Sequence, residues 1–141
     1  MKRLMFLCLL CVLVGCSMTL PSGRKRFQPP PMAYERWQKP GAKKIEIKKA
    51  LLECGATDPF GDIKAFVPED RDEHLNLWVN ANNCMRKDGF LEKPGLESSI
   101  CSSFSYLPAC QTNPVISGRN SKRRLESKFC KTYQKADVCQ P

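Results

Sequence analysis

The sequence predicts a small, mainly α-helical, disulfide-stapled fold, with two helices followed by a loop-rich, cysteine-rich C-terminal segment. Three observations carry that expectation. Apolar residues recur at three- and four-residue steps over 43–54 and again after Pro68. The chain holds nine cysteines. Its 141 residues include 11 prolines and 8 glycines but few aromatics, so cross-links are expected to make up for a modest hydrophobic core.

The first element stands apart from that fold. Met1, Lys2 and Arg3 precede an apolar run over 4–14, which ends in Gly15, Cys16 and Ser17. A basic start, a short apolar core and small residues at its end make a secretory signal over 1–15, too short for a stable membrane span. Leu13-Val14-Gly15-Cys16 resembles the lipobox of bacterial lipoproteins. That resemblance implies cleavage before Cys16 and transfer of a diacylglycerol to its thiol. In a Gram-negative host it also implies a further, palmitate-like chain on the new amine. Acyl chains contribute about 0.8 kcal/mol per buried methylene, so two or three of them anchor a protein stably. Ser17, rather than an aspartate, after the lipidated cysteine suits sorting to the outer membrane.

Residues 16–33 then read as a tether. Pro21, Gly23 and the triple proline Pro29-Pro30-Pro31 favour extended chain. Between them lies the basic cluster Arg24-Lys25-Arg26, which is placed to meet anionic headgroups or else serves as solvated linker charge.

Residues 34–93 form the expected two-helix unit. Trp37 and the turn Pro40-Gly41 lead into a first helix over 43–54, with Ile47, Ala50, Leu51 and Cys54 on one apolar face and Gly55 as its left-handed stop. Its start lacks a Ser, Thr, Asp or Asn cap, and Lys43 and Lys44 oppose the helix dipole. A loop with Asp58-Pro59 and Phe60-Gly61 ends at Pro68, which with Glu69, Asp70, Asp72 and Glu73 makes a second helix start. Leu77, Trp78, Ala81, Cys84 and Met85 give that helix a buried stripe, and Gly89 closes it. Residues 91–99 read as a linker.

The segment 94–141 carries most of the cysteines. Cys8 and Cys11 leave with the signal and Cys16 takes the lipid, so Cys54, Cys84, Cys101, Cys110, Cys130 and Cys139 remain as an even set for disulfides in an oxidising compartment. No pair has zinc-ligand spacing and His74 is the sole histidine, so no metal or other cofactor is expected. Cys101 with Cys110, and Cys130 with Cys139, each enclose eight residues, and an aromatic, Phe104 or Tyr133, stands three residues after the first cysteine. If each loop closes on itself, Cys54 is left for Cys84. Pairing across the two loops is the alternative. Short helices are expected at 102–107 and 122–132.

Trp37-Gln38-Lys39-Pro40-Gly41, Leu51-Leu52-Glu53-Cys54-Gly55, Cys84-Met85 and Gly89-Phe90 together resemble a broad group of small, mostly uncharacterised bacterial outer-membrane lipoproteins. The resemblance covers residues 34–90. It implies a bridge between the two helices, here Cys54 to Cys84, and brings no catalytic residue. Both cysteines sit near the C-terminal ends of their helices. Such a bridge therefore requires the connection 55–67 to travel back along the first helix, or the helices to cross steeply.

No nucleophile stands beside a base in this sequence, since His74 lies among carboxylates that read as helix-dipole partners on a solvated surface. No glycine loop suited to phosphates appears, and the reading is of a protein without catalysis. The net charge of +9, lowered by two when Lys2 and Arg3 leave, makes the exported domain basic. An envelope compartment offers it no nucleic acid, but does offer lipopolysaccharide, phospholipid headgroups or an acidic protein. Lys122-Arg123-Arg124 joins Arg24-Lys25-Arg26 as a second candidate for anionic contact. The expected function is a lipid-anchored envelope lipoprotein displaying a binding or structural module. An immunity or inhibitor lipoprotein that neutralises an enzyme or phage component in the periplasm is the alternative.

Overall fold

The computed structural model describes residues 29–61, 66–111 and 115–141. The expected signal segment, Cys16 and the cluster Arg24, Lys25 and Arg26 lie outside the described residues. Within them the chain is mainly helical and carries three disulfides, Cys54–Cys84, Cys101–Cys110 and Cys130–Cys139. Each C-x8-C loop thus closes on itself.

Helix α1 (Lys44–Glu53) is the centre of the fold. Ile47, Ala50, Leu51 and Cys54 face a core cluster with Trp37, Trp78, Ala81, Cys84, Met85 and Phe90. Leu52, on another side, enters a second cluster with Phe66, Phe129, Cys130, Val138 and Cys139. The sequence predicts a single apolar face. The structure buries two, because the C-terminal segment covers what would otherwise be the solvent side. The apparently uncapped start is closed by Glu46, whose Oε2 accepts the Lys43 N–H at 2.6 Å and supplies the negative charge that two lysines deny the dipole.

Helix α2 (Arg71–Lys87) starts three residues later than Pro68 predicts. Asp70 is the cap, its Oδ1 accepting the Glu73 N–H at 2.9 Å, with Asp72 and Glu73 in the first turn. Both long helices end alike. Gly55 and Gly89 take positive φ, 97° and 81°, and the residue after each glycine donates back to the helix, Ala56 to Leu51 O at 3.0 Å and Phe90 to Met85 O at 3.0 Å. The connection between the helices runs back along α1, since Phe60 shares a cluster with Ile45 and lies 4.9 Å beneath the Lys48 ammonium. That return path lets Cys54 meet Cys84 at a Cα separation of 5.5 Å.

A short antiparallel ribbon, unexpected from the sequence, joins strand β1 (Trp37–Gln38) to strand β2 (Leu91–Glu92). Glu92 opposite Trp37 receives Arg36 at 3.0 Å and Arg86 at 2.6 Å, which holds the supposed linker in place. The two cysteine loops form matching clips. In the first, helix α3 (Ile100–Ser103) passes through a turn into the single-turn 3-10 helix Pro108–Cys110, and in the second, helix α5 (Lys128–Thr132) passes into Asp137–Cys139. Their bonds correspond one by one. Phe104 N–H donates to Ile100 O, Leu107 to Phe104 and Cys110 to Leu107, as Tyr133 donates to Phe129, Ala136 to Tyr133 and Cys139 to Ala136. Even the side chains match, with Gln111 amide donating to Ser105 O and Gln140 amide to Gln134 O. The first clip packs on α2 and the second on α1. The helix expected at 122–132 is two, α4 (Ser121–Glu126) and α5, broken at Ser127, whose hydroxyl caps the second by accepting the Cys130 N–H at 3.1 Å.

Candidate functional site

The site is built around Phe60. Asp58 is buried in the loop after α1, and its Oδ1 accepts the N–H groups of Phe60 at 2.8 Å and Gly61 at 2.7 Å, a local turn that fixes the ring. Gly61 takes φ +92°, and a Cβ there would stand 2.8 Å from the Ala33 Cβ. This close approach lets the Ala33 N–H donate to Phe60 O at 2.7 Å, so the last residue of the expected tether is buried against the loop. From Phe60 an aromatic cluster extends on both sides, to Tyr34 edge-on at 6.1 Å, to Phe129 at 6.2 Å, and through Phe129 to Tyr133 at 5.1 Å. Such pairs are worth about 0.5–1.5 kcal/mol each beyond their burial. The Lys48 ammonium sits 4.3 Å above the Tyr34 ring.

Two hollows share the Phe60 ring. One, of about 660 Å³, runs along the second clip between Phe60, Phe129, Tyr133 and Lys135. The other, of about 730 Å³, lies between the three prolines at 29–31, Met32, His74 and Trp78. Among the described residues neither is lined by a carboxylate, and their edges carry Lys135, His74 and Arg36, the last paired with Glu92. His74 is half-buried, edge-on to Trp78 at 6.4 Å, with a buried Nδ1 that has no hydrogen-bond partner among the described residues; the sequence reading placed it on a solvated surface.

The predicted anionic-contact triplet divides. Arg124 is only 4 % exposed; its Nε meets Glu53 Oε1 at 3.1 Å and its Nη1 donates to the carbonyls of Val138 and Gln140. Arg123 donates to Glu53 O at 2.8 Å. Both guanidiniums are engaged in holding α4 to α1, which corrects the expectation for Arg124 in particular. Lys122 remains turned to solvent, with a long 3.8 Å pairing to Glu126. Arg119, which no motif in the sequence marks, bridges Glu53 at 2.7 Å and Asp88 at 2.9 Å, and Lys39 adds to Asp88 at 3.2 Å. Partial burial alone would raise the Asp88 pKa, but hydrogen bonds from Arg119 and Lys39, and their charges, outweigh it and hold the carboxyl below its usual 3.8. This network ties the ends of both long helices together. It is structural in character.

No family model, curated protein or solved structure matches this chain. Among the described residues no helix is long and apolar enough to cross a membrane, and no group of three His, Cys, Asp or Glu side chains converges as a metal site. The six cysteines Cys54, Cys84, Cys101, Cys110, Cys130 and Cys139 are all engaged in bridges. Phe60, Phe129 and Lys135 were not legible as site residues, because they lie in separate segments that only the fold brings together. Tyr133 carried the one signal available, its repeated place three residues after a cysteine.

Proposed function

We propose that the protein is a lipid-anchored envelope lipoprotein, attached through Cys16, whose disulfide-stapled domain is a non-catalytic binding module. The observation that carries this reading is the set of three bridges within one small helical domain, since such a set persists in an oxidising compartment outside the cytoplasm. The lipobox-like Leu13-Val14-Gly15-Cys16 supports attachment to a membrane there, and Ser17 supports the bacterial outer membrane. The aromatic face around Phe60 supports binding rather than catalysis, because its apolar floor and cationic edges are suited to recognition. Intact-mass measurement on membrane-extracted protein tests the proposal. A chain that begins at Cys16, carries acyl mass and has no free thiol is expected, with the acyl mass lost in Cys16→Ala. A soluble chain without acyl mass would overturn the anchored reading.

A further inference from the structure

We infer that the face around Phe60 is a membrane-docking surface, on which the domain lies against a bilayer containing anionic phospholipid. The inference rests on the lipid-anchored reading above and specifies which side of the domain meets the lipid. Three observations converge on it.

The first is where the chain enters. Twelve residues, 17–28, separate the proposed lipid from Pro29, a length of chain that can span at most about 45 Å. Pro29 lines the hollow beside Phe60, and the Ala33 N–H is bound to Phe60 O at 2.7 Å, so the chain that leads to the anchor enters the domain beside this face. The second is charge. Among the described residues no carboxylate lines the two adjoining hollows, and Glu35 beside them is engaged by the Met32 N–H and the Tyr34 hydroxyl, so Lys135 at one edge and Lys48 over the rings of Tyr34 and Phe60 are the cations placed to meet phosphodiester headgroups. Lysines near an anionic surface are drawn to it, and salt screens that attraction. The third is the kind of apolar group exposed. Tyr133 and Met32, each 48 % exposed, flank Phe60, and aromatic rings with lysines beside them are the side chains that favour the headgroup level of a bilayer. An acidic protein segment would meet the same charges, but it would not need the anchor to enter here.

The test is lysine acylation read by mass spectrometry on the full membrane-extracted chain, reconstituted in vesicles of phosphatidylcholine or of phosphatidylcholine with phosphatidylglycerol. Labelling of Lys48 and Lys135 is expected to fall several-fold in the anionic vesicles and to recover at high salt. Lys122, which borders neither hollow, is expected to label equally in both. The exposed substitution Lys135→Glu should raise labelling of Lys48 in the anionic vesicles while leaving the thermal midpoint in place. Equal labelling of Lys48 and Lys135 on both vesicles would overturn the docking surface, as would protection of these lysines by a polyglutamate peptide and not by lipid. Acyl mass is read on the same sample, so docking can fail with the anchor intact. Protection without acyl mass would uphold the surface and discard the anchor.

Discussion

Glu53 is a charge held by two arginines distant in the chain. It is buried at the end of α1, with Arg124 and Arg119 on its two oxygens, and those partners come from a segment that begins more than sixty residues later. Removing Arg124 leaves Glu53 to Arg119 alone and frees the carbonyls of Val138 and Gln140, so Arg124→Ala is expected to cost about 1–3 kcal/mol in denaturant unfolding. Lys122→Ala, two positions away and open to solvent, is expected to stay within about 0.5 kcal/mol. Asp88 gives a pH signature. Its folded pKa lies below 3.8, so the stability it contributes is present above that value and is lost as the pH falls through the folded pKa. Stability measured against pH in the acid range should therefore fall less steeply in Asp88→Asn than in the parent chain. The helix-stopping glycines and the buried Trp78 were readable at this scale because each depends on its own neighbours. Glu53 was not, since a glutamate at the end of a helix looks solvated until distant arginines are folded onto it.

The clips show what a sequence can and cannot reveal about an element. Equal spacing and a repeated aromatic identified two C-x8-C loops, and local hydrogen bonds are enough to build each one. The ribbon of β1 and β2 was invisible because two-residue strands have no periodicity to read, and Leu91-Glu92 becomes a strand only when Trp37 is laid beside it. The clips also differ in environment. Cys101 is exposed and Cys110 partly so, whereas Cys130, Cys139, Cys54 and Cys84 are all buried. A thiolate must reach sulfur to exchange with it. Graded reduction with alkylation and peptide mass mapping is therefore expected to label Cys101 and Cys110 first and the Cys54–Cys84 pair well after them. Gly61→Ala tests the loop that carries Phe60. The new methyl would meet the Ala33 Cβ at 2.8 Å on a backbone that side chains disfavour, so a loss of about 1–3 kcal/mol and release of the 29–33 segment to protease are expected.

At the scale of the whole molecule, residues 34–93 and 94–141 share one interior. Leu52 of α1 is completed by Phe129, Val138 and Cys139, and the Asn120 N–H donates to Glu53 O at 3.2 Å. Composition marked off a cysteine-rich tail, but burial makes it the second wall of the core. Truncation at Pro94 is thus expected to expose Leu52 and leave Glu53 unpaired, and limited proteolysis should find 34–93 no longer resistant. The bridges have a further consequence in their order. Every cysteine of the domain is joined to the next one along the chain, 54 to 84, 101 to 110, 130 to 139, with no bridge enclosing or crossing another. For a polypeptide threaded N-terminus first across a membrane, each thiol that emerges finds its correct partner before the next pair arrives. If the chain is exported as proposed, its maturation calls for an oxidant and has little need of a shuffling enzyme.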